Sequence, residues 1–84
     1  MYYVYALKSR KDGRFYVGYT ADLKKRIAEH NDGKVRSTWH RIPLDLLYYE
    51  ASENQRDALH REKYLKTTYG KRYLRNRLKH ALLI

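Results

Sequence analysis

A run of apolar positions on both faces of a strand organises the start of the chain. From Tyr2 to Lys8 the segment is β-prone and apolar on both faces, with Tyr2, Val4 and Ala6 on one side and Tyr3, Tyr5 and Leu7 on the other. Such a strand belongs at the centre of its sheet. Residues 14 to 19 read as a second strand, and Lys11-Asp12-Gly13 between the two is a hairpin signal. A two-residue turn at Asp12-Gly13 sets Tyr5 opposite Thr20 and Tyr16 opposite Ser9, with both phenols on one face. Gly18, inside the second strand, marks either a bulge or room for a close approach beside Tyr16.

After Thr20 the period becomes helical. Thr20 reads as an N-cap with Asp22 in the first turn, opening a helix from Ala21 to about Asn31 that Asn31-Asp32-Gly33 stops. Leu23 and Ile27 form its buried stripe, and Arg26 and His30, i,i+4 neighbours, border it. Residues 34 to 41 form a polar, basic loop in which Trp39 either stacks on a base or covers the edge of a small core. Pro43 ends that loop, and Leu44 to Glu50 is a third strand.

Ser52 and Gln55 make a capping box for a helix starting near Glu53, with Ala58, Leu59 and Leu65 on its apolar side. Glu62 falls within that apolar sector, and a carboxylate there needs a partner. The partner is either an arginine, Arg26 or Arg61, or a divalent cation. Thr67 to Gly70 breaks the pattern. A last helix, about Lys71 to Leu82, turns Leu74, Leu78, Ala81 and Leu82 inward and Lys71, Arg72, Arg75 and Arg77 outward. The expected fold is a small α+β domain, one domain over residues 1–84, in the order β-β-α-β-α-α.

Charge narrows the function. Lysine and arginine number 19 against 9 acids, a formal net charge of +10, which favours a polyanionic partner, nucleic acid first. A membrane surface is the competitor, but no helix pairs a basic face with bulky anchors, and no apolar run reaches a span of ~18 residues. The absence of cysteine removes disulfides, thiolate zinc sites and thiol nucleophiles, and makes a reducing cytoplasm the expected compartment. His30, His40, His60 and His80 lack zinc spacing, and no phosphate loop, serine elbow or His-Glu-x-x-His pair is present.

Tyrosines, one arginine, one histidine and one inward glutamate remain, and in this order they resemble the GIY-YIG nuclease superfamily, particularly its small stand-alone bacterial members. Tyr3-Val4-Tyr5 stands where that family has Gly-Ile-Tyr, and Tyr16-Val17-Gly18 where it has Tyr-Ile-Gly, ten residues lying between Tyr5 and Tyr16. Arg26 matches the family arginine of the first helix, His30 the His or Tyr one turn later, and Glu62 the metal-binding glutamate. Two departures are visible. Tyr3 replaces the first motif glycine, and Tyr19 stands where the excision-repair branch has a lysine. The family's late asparagine falls near Leu74 by counting, with Asn76 two positions beyond.

The resemblance implies a three-stranded, mainly antiparallel sheet with strand one central, flanked by helices. It implies metal-dependent hydrolysis of DNA phosphodiester bonds, RNA remaining open as a substrate. Glu62 would hold one hard cation, Mg²⁺ or Mn²⁺, and Arg26 would neutralise the phosphoryl oxygens. Tyr5, Tyr16 and His30 would divide the work of removing a proton from the attacking water. Lys34, Arg36, Trp39, Arg41, Lys71, Arg72, Arg75 and Asn76 are the expected nucleic-acid contacts. A monomer or weak homodimer is expected, with specificity drawn from loops, a second copy or a protein partner. The four side chains Tyr5, Tyr16, Arg26 and Glu62 should then share one basic depression.

Overall fold

The computed structural model describes residues 1–83. Its elements are β1 (Tyr2–Ser9), β2 (Phe15–Thr20), α1 (Leu23–Asn31), β3 (Leu44–Ser52), α2 (Gln55–Leu65) and α3 (Thr68–Arg77), with 3-10 turns at Trp39–Arg41 and Ala81–Leu83. The sheet runs β2-β1-β3 and both pairings are antiparallel, so the doubly apolar strand is central as its pattern requires.

The hairpin register differs from the expected one by two residues: Tyr5 lies opposite Gly18 and Tyr16 opposite Leu7. The turn is longer than two residues because Ser9 organises it. Ser9 donates its N–H to Arg14 O at 3.0 Å, accepts from the Gly13 N–H at its carbonyl at 2.9 Å, and takes the N–H groups of Lys11 and Asp12 on its hydroxyl. Gly13 closes the turn at φ 71°, a conformation that favours glycine. A slip of two residues preserves alternation, so both phenols still emerge on one face.

The two sheet faces carry different cores. Val4, Ala6 and Val17 pack with Ala58, Leu65, Leu74 and Leu78 of the α2/α3 side. Tyr5, Leu7 and Leu44 pack with Tyr16, Leu23, Ile27 and Ile42 on the α1 side. Helix boundaries shift locally. Asp22, not Thr20, caps α1, accepting from the Lys25 N–H, while the Thr20 hydroxyl accepts from the Asp22 N–H. Asn54, not Ser52, caps α2, accepting from Arg56 and Asp57. In both cases the Asx side chain beside the first helical residue reaches the orphan donors more directly.

The expected break at Thr67–Gly70 is shorter than its composition indicates. Thr67 caps α3 by accepting from the Gly70 N–H, so Gly70 lies inside the helix. A Cβ on Gly70 would run into Tyr64 O and the Leu65 backbone, so glycine lets α3 close against α2. Leu59, expected inward, is 41 % exposed; Ala58 and Leu65 carry the buried stripe.

Candidate active site

Tyr5 leaves the middle of β1 on the α1 side and is 1 % exposed. Its ring has space because its cross-strand partner is Gly18, where any Cβ would collide with the phenol. The close approach expected beside Tyr16 therefore belongs to Tyr5. Tyr5 Oη lies 2.7 Å from His30 Nε2, and His30 Nδ1 lies 2.7 Å from Thr38 Oγ1, a buried relay across three elements. Tyr16 closes the group, its ring 5.2 Å from the His30 ring and 6.5 Å from that of Tyr5. Its hydroxyl accepts from the Ser37 hydroxyl at 3.4 Å.

Burial pushes the Tyr5 phenol up to about 12; Arg26, approaching the phenol oxygen, pulls the other way, and the charges of Tyr16 and Glu62 add to the rise. Burial, reinforced by the Arg26 charge, holds His30 down at about 4. The imidazole is thus neutral at neutral pH, with one nitrogen donating and the other accepting. A cation at the phenol oxygen draws the lone pairs towards itself. The phenol proton then points at His30 Nε2, and His30 Nδ1–H donates to Thr38.

Arg26 keeps a long ion pair with Glu29 at 3.4 Å and lines a depression of about 390 Å³ with Tyr19, Thr20, Asp22, Lys25 and others. Tyr5, 1 % exposed, is not on the wall of that depression. Glu62 pairs with neither Arg26 nor Arg61. Its partner is Lys66, one turn on, at 3.0 Å. Arg61 is taken by Glu50, with a bidentate grip at 3.0 Å. The Glu62 charge is the smallest influence on the phenol, and its helix, α2, packs on the opposite face of the sheet from Tyr5.

Lys34, Arg36 and Trp39 are exposed on the loop after α1, Trp39 57 % so, which removes the reading in which it seals a core edge. Arg41 is spent differently from the expected phosphate contact: Nε binds Asp12 at 2.9 Å and Nη2 binds Arg14 O at 3.0 Å, clasping the hairpin turn to the loop. Lys71, Arg72, Arg75 and Asn76 are exposed on α3, across the sheet from Tyr5. Leu74 is fully buried, and Asn76, about 200° further round the helix, points away from the core rather than into the tyrosine cluster. Sequence reasoning missed Thr38. The one available hint was Val35, the single apolar side chain of Lys34–Thr38, which is buried and turns this loop inward.

A model described as the GIY-YIG catalytic domain matches residues 1–77. The chain belongs to the GIY-YIG family. Its GIY-YIG relatives include a UPF0213 protein of Streptococcus pyogenes serotype M5 (strain Manfredo), 45 % identical over 65 residues, covering 76 % of this chain and 70 % of that one. Another, from Pediococcus acidilactici, is 44 % identical over 71 residues, covering 77 % of this chain and 72 % of the relative. The solution NMR structure of a UPF0213 protein from Bacillus halodurans has the same fold, with a TM-score of 0.55 and 35 % identity, covering 88 % of this chain and 82 % of that one. Tyr5 and Tyr16, the tyrosines of the two motif-like tripeptides, share the α1 side of the sheet.

Proposed function

We propose that this protein is a metal-dependent endonuclease that hydrolyses DNA phosphodiester bonds by in-line attack of water, acting on unusual DNA structures in repair or recombination. The observation that carries the reading is the Tyr5 phenol, held 2.7 Å from a neutral His30 and acted on by the Arg26 cation. A phenol at about 12 does not stand ionised at neutral pH. The tyrosine instead hands its proton to His30 Nε2 as its oxygen accepts one from the attacking water, and Thr38 fixes the ring for that transfer. Arg26 offers a planar fork to the phosphoryl oxygens, where charge grows during attack. Tyr16 orients the water or the phosphate from the same face.

Among the described residues no group of three or more His, Cys, Asp or Glu side chains forms a ready metal cage. A lone carboxylate suits Mg²⁺ or Mn²⁺, which keep most of their waters and borrow substrate oxygens. Glu62 would hold that ion, and Lys66, its half-exposed partner, is able to swing aside. When bound, the ion supplies Lewis-acid stabilisation of the developing negative charge.

The test is cleavage of plasmid and branched DNA with Mg²⁺ or Mn²⁺ by the wild type, Glu62→Ala and Tyr5→Phe. Both variants should lose ~10² or more in rate while still binding DNA. Undiminished cleavage by either variant sinks the reading. A second reading, a DNA-binding module that needs a partner to cut, draws on the burial of Tyr5 and the closed Glu62–Lys66 pair. Binding without cleavage under any metal selects it. A cytoplasmic monomer or weak homodimer belongs to both readings.

A further inference from the structure

Across the sheet from Tyr5, the β1–β2 turn and α3 enclose a groove of about 470 Å³ lined by Gly13, Arg14, Phe15, Lys71, Arg75 and Leu82. Three cations rim it, and half-buried Phe15 and Leu82 supply an apolar floor. Among the described residues none of Arg14, Lys71 and Arg75 has an acidic partner; the ion pairs engage Arg10, Arg26, Arg41, Arg61 and Lys66. The helix behind the groove, α3, carries four basic residues and no acid. Round the same helix from the groove, Tyr69 is 69 % exposed with the Arg72 guanidinium 5.8 Å from its ring centroid, a stacking surface already flanked by charge.

We infer that this groove binds a single-stranded DNA segment outside the reacting site, its phosphates on Arg14, Lys71 and Arg75 and a base against the exposed aromatic surface. The polymer's identity rests on the nuclease reading; the groove and its charge do not. Single-strandedness follows from shape. The molecule measures 33 × 28 × 18 Å, and the groove and Tyr5 lie on opposite faces of its sheet. A duplex stiff over ~150 bp cannot fold round so small a body, whereas a single strand turns within a few nucleotides. Stacking on an exposed ring likewise needs an unpaired base. One polynucleotide reaching both faces must therefore carry a single-stranded arm, which gives the enzyme a physical basis for choosing flaps or junctions over plain duplex.

The test is fluorescence anisotropy in EDTA, which blocks cleavage, using an oligo-dT of about twelve nucleotides and a blunt duplex. Lys71→Ala with Arg75→Ala, and separately Arg14→Ala on the other wall, should weaken oligo-dT binding. We expect ~10-fold or more for the pair, a salt slope reduced by about 1.4, and less than a threefold change on the duplex. Amide NMR shifts on adding oligo-dT should include Gly13 to Phe15, a readout independent of any substitution. Equal losses on both probes, unchanged oligo-dT binding, or no shifts at the turn overturn the proposal. The two readings fail separately. A wild type that holds oligo-dT through these residues yet never cuts DNA defeats the nuclease reading alone. One that cuts DNA while its Lys71/Arg75 variant holds oligo-dT normally defeats the groove alone.

Discussion

The two faces of the sheet are built from different materials. On the α2/α3 side every buried side chain of the core cluster is aliphatic: Val4, Ala6, Val17, Ala58, Leu65, Leu74 and Leu78. On the α1 side the fully buried positions include Tyr5, His30, Thr38 and Ser9, all carrying polar atoms. Among the described residues each buried side-chain nitrogen or oxygen has a partner, so the polar burial is satisfied rather than tolerated. Hydrogen bonds of this kind add little net stability but fix directions narrowly. The aliphatic face holds the molecule together, and the polar face holds a geometry.

That division breaks most visibly at Leu74, which is fully buried. Leu74→Ala should cost about 2–5 kcal/mol in urea unfolding, while cleavage per folded molecule stays within a factor of ~3. Loss of activity in a fully folded Leu74 variant would show that the faces are not separable. Arg26→Ala should do the reverse. Its ion pair with Glu29 is 3.4 Å long and its side chain is 37 % exposed, so stability should move by less than ~1 kcal/mol. Cleavage should fall by ~10² to 10³.

His30 ties the polar face to pH. Its folded value, about 4, lies below the ordinary 6.5, so the unfolded chain takes up the proton first as pH falls. Stability should therefore be complete above pH 6.5 and decline between there and about 4, by roughly 3 kcal/mol from this group. Urea midpoints of the wild type and His30→Gln across that window check it: the variant should lose the histidine's share of the slope. Identical slopes would mean that His30 is not held neutral by its surroundings.

The aliphatic face was the more legible of the two in the sequence. The period of two in β1 and the leucines of α2 and α3 announce themselves because burying apolar surface leaves a repeating pattern. The tyrosine pair, Arg26, His30 and Glu62 were singled out by the family resemblance. Their partners were not, because a hydrogen bond between Tyr5 and His30 or between His30 and Thr38 leaves no period. The charged partners went astray for a similar reason. Glu62 chose Lys66 and Arg61 chose Glu50 by local geometry, which counting along a helix only half constrains. The hairpin register slipped because a serine hydroxyl, invisible to turn rules based on Asp-Gly, collected the amides of Lys11 and Asp12.

Two buried glycines, one serving each face, give the finest version of the comparison. At Gly70 an added methyl meets the Tyr64 carbonyl and Leu65 backbone, which can yield only by moving α2 and α3 apart. At Gly18 it meets the Tyr5 ring, a side chain rather than backbone. Overpacking of either kind costs about 1–3 kcal/mol, and Gly70→Ala should sit near the top of that range with Gly18→Ala near the bottom. The functional ranking should be inverted. A Tyr5 ring displaced from over Gly18 loses its 2.7 Å contact with His30, so Gly18→Ala should slow cleavage well beyond its effect on unfolding. Gly70→Ala should cut no more slowly than its folded fraction predicts. Denaturation curves and cleavage rates on the same two samples decide it, and matching order in both measurements would erase the distinction between the faces.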